Sequence, residues 1–193
     1  MRKVTHMWLL LLCLLAGTAS AEQSLVMPRA AQSMLLDVTR AGERLVAVGD
    51  HGHVLYSDDG ANSWQQAVVP TRAMLTAAHF PSKQRGWAVG HDGVILATSD
   101  GGKNWTIQRD GLAAQEKLNR DNLRRVKAEL ARCRQQPSDN PSSADQADPC
   151  SSMSDLQLDL EDASLLVSEQ VHAPPLLDVF FVDELRGVAV GAF

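Results

Sequence analysis

The chain has 193 residues, 45% of them hydrophobic and 21% charged, with a formal net charge of −5 at pH 7. That acidic balance excludes the basic electrostatic footprint of a non-specific nucleic-acid binder.

In chain order, residues 1–21 read as a secretory signal. Arg2 and Lys3 give a charged start, residues 8–15 an apolar core, and Ala19-Ser20-Ala21 a small-residue cleavage site before Glu22. The apolar run is well short of the ~20 residues that a membrane-spanning helix needs, so the mature chain is expected not to span a membrane itself. Cys13 leaves with the signal. Cys133 and Cys150 remain, an even count in an oxidising compartment, and a disulfide between them is expected. Metal binding is the alternative for this pair, but no C-x-x-C accompanies them and the nearest histidine, His172, is remote.

Residues 22–33 precede the first complete strand. Leu25-Val26-Met27-Pro28 echoes Ala67-Val68-Val69-Pro70, which predicts an extra strand over residues 25–27 that could close a ring. The chain then repeats itself: Ala47-Val48-Gly49 recurs 41 residues later as Ala88-Val89-Gly90, and Ser57-Asp58-Asp59-Gly60-Ala61-Asn62-Ser63-Trp64 recurs as Thr98-Ser99-Asp100-Gly101-Gly102-Lys103-Asn104-Trp105. Within each copy, apolar runs of four to six residues are bounded by Gly, Asp or Asn, the punctuation of short strands and tight turns. In the second copy strands are predicted over residues 75–79, 86–89, 94–98 and 104–108. Four antiparallel strands at a period of ~40–45 residues are the mark of a β-propeller blade. Residues 34–70 form the first such blade and residues 71–110 the second.

The segment 111–173 breaks the period. Leu123, Val126, Leu130 and Cys133 recur every three or four residues, predicting an amphipathic helix over 112–135 with Asp110 as N-cap. Residues 137–149 are rich in Pro, Ser, Asp and Asn and read as a loop. Ser154-Asp155-Leu156-Gln157 has the form of a capping box, followed by Leu156, Leu160, Ala163 and Val167 at helical spacing. The insert is therefore a helical hairpin, which a Cys133–Cys150 bridge would hold antiparallel. Residues 174–193 begin a third copy, with Leu177-Asp178-Val179 and Gly187-Val188-Ala189-Val190-Gly191. The fold class read from this pattern is all-β, a partial propeller of four-stranded blades with an inserted α-helical hairpin. Two or three blades do not close a ring, so a longer protein is expected, with one blade's open face exposed in this piece.

The pattern S/T-x-D-x-G-x-x-W resembles the Asp-box of sialidase-type propellers. Its residues Ser57, Asp59 and Trp64, and Thr98, Asp100, Gly102 and Trp105, are read as architecture: the hydroxyl and carboxylate accept from turn N–H groups, glycine supplies a positive φ, and tryptophan covers the hairpin. Ala61 stands where the second box has Gly102, at a cost of order 1 kcal/mol if φ there is positive. Together with the signal and the G-x-A-V-G-x-x-G elements, the boxes resemble the photosystem II stability and assembly factor family of Asp-box propellers, over about residues 34–108 and 176–193. The resemblance implies an exported scaffold, in the periplasm or, in a photosynthetic host, the thylakoid lumen. It also implies an envelope or thylakoid membrane protein or complex as partner, with no nucleic acid, cofactor, metal or catalytic residue. The loops and the helical insert would make the contact.

The competing class is a sialidase-like glycoside hydrolase whose catalytic residues lie in further blades. Such an enzyme needs a Tyr nucleophile paired with a carboxylate and a cluster of arginines. Tyr56 is the lone tyrosine and takes the strand position of Ala97, which reads as packing, and Arg40, Arg44, Arg72 and Arg85 read as solvated. Asp50 with His51, and His91 with Asp92, could suggest a metal or acid–base pair, but Asp beside Gly is ordinary turn chemistry. Trp87 is expected to pack between blades.

Overall fold

A computed structural model describes residues 23–135, 150 and 152–192. The proposed signal at 1–21 and the loop at 137–149 lie outside the described residues. Among the described residues ten strands and two α-helices follow one another: β1 (Leu35–Ala41), β2 (Arg44–Gly49), β3 (Val54–Ser57), β4 (Gln65–Gln66), β5 (Leu75–His79), β6 (Gly86–Gly90), β7 (Ile95–Thr98), β8 (Thr106–Arg109), α1 (Gly111–Gln135), α2 (Met153–Ser168), β9 (Leu176–Phe181) and β10 (Gly187–Gly191). They form two four-stranded antiparallel meanders, β1-β2-β3-β4 and β5-β6-β7-β8, and a two-stranded sheet of β9 and β10.

The repeated Ala-Val-Gly has a steric cause. A Cβ on Gly49 would sit 2.2 Å from the Met34 carbonyl oxygen, one on Gly90 2.0 Å from that of Met74, and one on Gly191 2.2 Å from that of Pro175. Each of those carbonyls accepts a hydrogen bond from the residue after the glycine, Asp50, His91 or Ala192. The backbone of the preceding strand therefore approaches too closely for any side chain at that point.

Apolar side chains fill the spaces between sheets, as blade stacking requires. Val46, Val48 and Val54 of the first blade meet Leu75, Ala78, Phe80, Ala88, Leu96 and Trp105 of the second. On the second blade's other face, Ala77, Trp87 and Val89 meet Val179, Leu176 and Phe181. Polar links pin the innermost strands together. The Asp37 carboxylate accepts from Ala78 N–H at 2.8 Å, Thr76 Oγ1 donates to Leu176 O at 2.7 Å, and His79 Nδ1 accepts from Phe181 N–H at 3.2 Å.

Helix α1 starts hard against the His91–Gly93 turn of the second blade, capped by Asp110, whose carboxylate accepts from Ala113 N–H. It packs antiparallel to α2 through Leu130, Cys133, Leu156 and Leu160, and Cys133 is bonded to Cys150 with a Cα–Cα distance of 5.3 Å. The buried Asn119 of α1 also donates to Leu166 O, tying the far end of the hairpin.

Two local expectations need correction. The cap of α2 is Ser152, not Ser154: its hydroxyl accepts from Asp155 N–H, and the helix has already begun at Met153. Residues 25–27 form no strand. Gln66 is half of a β4 only two residues long, and its side-chain amide takes the place of a ladder, donating to Leu25 O and accepting from Met27 N–H. Ser24 N–H reaches Val69 O beside it, so the segment lies along the outer edge of the first blade, with Leu25, Val26 and Met27 exposed.

Candidate protein-binding surface

The two Asp-boxes make almost the same local hydrogen bonds. In the first, Ser57 Oγ accepts from Ala61 N–H at 2.9 Å and donates to Asp59 Oδ1, which accepts from Ser63 N–H. In the second, Thr98 Oγ1 accepts from Gly102 N–H at 3.1 Å and donates to Asp100 Oδ1, which accepts from Lys103 and Asn104 N–H. The side-chain and backbone donors of Ser63, with Ser57, hold the Asp59 carboxyl down at about 2. For Asp100, partial burial works the other way, but donors from Asn104, Thr98 and Lys103 outweigh it and keep the carboxyl below its ordinary value. Both carboxylates are turn organisers, each of their oxygens accepting at least one local hydrogen bond.

The tryptophans differ. Trp105 is buried, its Nε1–H donating to Gly102 O and its ring edge-on to Phe80 at 5.9 Å, in the seam between the first two blades. Trp64 is half-exposed and lines an open groove of about 440 Å³ with Leu35, Leu36, Asp37, Val38 and Ala47 on the first blade's free face. Ala61 has φ +73°, matching the +88° of Gly102, so the alanine does sit in the left-handed region, and the hairpin keeps its bonds regardless.

Arg44 is the residue that sequence reasoning misplaced. Its guanidinium makes a two-pronged ion pair with Asp58 (2.6 and 2.8 Å), lies 4.7 Å over the Tyr56 ring, and donates to Gly101 O at 3.0 Å in the next blade's Asp-box. The hydrogen bond to Asp58 raises its pKa further and lowers that of Asp58. Val68 completes this seam, donating to Lys103 O and accepting from Trp105 N–H. The signal for Arg44 was in the repeat: Arg85 and Arg186 stand at the same place beside Gly86 and Gly187. Arg85 faces Glu184 at 3.7 Å and borders a groove with Trp87, Asp100 and Gln108.

Among the described residues, Arg44, Arg85, Arg72 and Tyr56, weighed above for a hydrolase, make other contacts. Arg44 is engaged as above, Arg85 faces the third sheet, and Arg72 donates to Gln23 O. The Tyr56 hydroxyl donates to Gln65, with its ring against the first core. Trp87 stacks on Phe181 at 3.6 Å, between blades. His51 (φ +54°) and Asp92 (φ +57°) each occupy the left-handed position of their turn, and His51 Nδ1 lies 2.8 Å from the adjacent Asp50 carboxylate. Buried His53 holds Ser33 Oγ through Nδ1, and burial lowers its pKa. Among the described residues no three His, Cys, Asp or Glu gather as metal ligands, and no helix is long and apolar enough to cross a membrane.

The described residues present outward the blade faces and a bridged helical hairpin. Residues 56–128 match the family model described as photosynthesis system II assembly factor YCF48. Over that stretch the chain is similar to this family of Asp-box propellers. The match runs from Tyr56 through both Asp-boxes into α1. Among solved structures, one described as YCF48 bound to D1 peptide is similar at 23% identity, covering 39% of this chain with a TM-score of 0.36. The chain spans about a quarter of the length of that structure, 25%. No curated protein matches the chain.

Proposed function

We propose that this protein is an exported, non-catalytic propeller scaffold that binds a membrane-protein or envelope partner on the periplasmic or lumenal side, through its loops and helical insert. The observation that carries the reading is the assembly-factor family match across both Asp-boxes. The disposition of the polar groups agrees with it. Asp59, Asp100, Arg44 and Tyr56 are engaged within turns and blade seams, while the hairpin of α1 and α2 stands outside the blade-to-blade cores with its own small core. In the solved structure described above, the relative holds a D1 peptide. By the same logic this chain takes a polypeptide segment of its client.

The experiment is co-purification from the native envelope, comparing the full chain with a variant in which residues 112–172 are replaced by a short Gly/Ser linker. Loss of the partner, with the blades still folded by circular dichroism, is the expected result; unchanged recovery of the partner overturns the role of the insert. Fractionation of a tagged full-length chain tests export, and a cytoplasmic, uncleaved product overturns that part of the reading.

A further inference from the structure

Helix α2 carries two apolar faces, and among the described residues only one of them is packed. Leu156, Leu160 and Ala163 pack toward α1. On the opposite side Leu158 and Leu165, seven residues and two turns apart, are 61% and 53% exposed. Residues at that spacing share one helix face. The charged residues around them are all acidic: Asp155, Glu161 and Asp162 lie three before, three after and four after Leu158, and Asp159 completes the set. The helix contains no Lys, Arg or His.

The contrast with α1 shows that this charge is not simply a solvated helix surface balanced in place. In α1, four ion pairs neutralise cations locally: Lys117–Asp121, Arg120–Glu116, Arg124–Asp121 and Arg125–Glu129. Among the described residues none of the four α2 carboxylates joins an ion pair, and all four are exposed. An exposed leucine seam flanked by unpaired charges of one sign has the layout of a helix-pairing surface, with apolar positions supplying area and flanking charges choosing the partner. The disulfide and the Asn119–Leu166 bond hold the seam rigid before anything binds, which reduces the ordering cost of association.

We infer that the outer face of α2 is a docking site for a cationic amphipathic helix of a partner protein, whose aliphatic side chains lie along Leu158 and Leu165 and whose Lys or Arg residues meet Asp155, Asp159, Glu161 and Asp162. The inference rests on the scaffold reading above and names the chemistry of the partner segment. An anionic lipid surface is repelled by the same carboxylates.

The test uses the full mature chain and a synthetic 21-residue helical peptide with leucines at the seam positions and lysines flanking them, titrated calorimetrically at low and physiological salt. The peptide is expected to bind, more weakly as salt rises, and a counterpart with glutamates in place of the lysines is expected not to. Leu158→Ser with Leu165→Ser should weaken binding about tenfold or more, and Glu161→Lys with Asp162→Lys should do the same while flattening the salt dependence. These positions are exposed, so the fold should persist, checked by an unchanged melting temperature. No binding of the lysine peptide, equal binding of the glutamate peptide, or full binding by the leucine variant overturns the inference. So does co-sedimentation with phosphatidylcholine vesicles that depends on Leu158 and Leu165, which would make the seam a membrane contact. If the peptide fails to bind while deletion of residues 112–172 still abolishes co-purification, the docking inference falls and the scaffold reading stands. Peptide binding with co-purification unchanged by the deletion gives the reverse.

Discussion

The two Asp-boxes share one hydrogen-bond diagram and two fates. Around Asp59 and Asp100 the same hydroxyl, carboxylate and turn N–H groups meet, because all the partners lie within four residues of one another. The tryptophans that end the boxes diverge because their surroundings come from elsewhere in the chain. Trp105 is closed in by Val46 and Phe80, while Trp64 borders an open groove on the free face of the first blade. A motif can therefore be locally complete without being energetically equivalent, since burial and not the motif sets the worth of its largest side chain.

The sharpest way to break that comparison is to truncate the tryptophans. Trp105→Ala should cost about 3–5 kcal/mol, measured by urea denaturation, as for a large aromatic removed from a closed core. Trp64→Ala should cost about half as much or less, because much of the ring already meets water. Equal costs would show that the free face of the first blade is covered in solution. Next in size are the carboxylates. Asp100→Ala leaves turn donors without their acceptor and should destabilise by about 1–3 kcal/mol, toward the lower end because the hairpin is partly solvated.

Acid titration sharpens the same point. Asp59 is depressed to about 2 and Asp100 lies below its ordinary value, so each favours the fold above the unfolded carboxylate pKa near 3.8, and this contribution is lost as pH falls through the folded value. Stability should therefore decline between about pH 4 and pH 2, and Asp59→Asn should flatten that decline. A profile unchanged in the variant would remove Asp59 from the account. His53 acts in a higher window. Burial lowers its pKa from 6.5, so its contribution is present above that value and fades as pH falls below it. The smallest effect is expected at Ala61, whose φ is +73°: Ala61→Gly should stabilise by about 0.5–1 kcal/mol, making the first box the equal of the second.

Much of this fold was legible because its determinants are local and repeated. The period placed strands β5, β6 and β7 within a residue or so of their observed bounds, and Asp110 announced the start of α1. The short β4 was not legible, since whether Val68 joins its own sheet or pairs with Asn104 across the seam depends on the neighbouring blade. Residues 25–27 were misread for a related reason. Their echo of residues 67–69 is a matter of composition, whereas a ladder needs a free edge in register, and Gln66 meets them with its side chain instead. Ser152 displaced Ser154 as the cap because several serines compete there and only the actual first helical residue decides among them.

The sequence alone therefore determined the repeat, the turn chemistry of the boxes, and the glycines that let neighbouring backbone approach, all of which depend on contacts within a single blade. Tertiary structure alone decided that Arg44 clamps the next blade's hairpin, that one tryptophan is core and its twin is surface, and that α2 leaves a leucine seam facing outward. Each of those outcomes depends on groups some 40 residues or more away along the chain or on another helix, and no local pattern encodes how far such groups are from one another once the sheets have stacked.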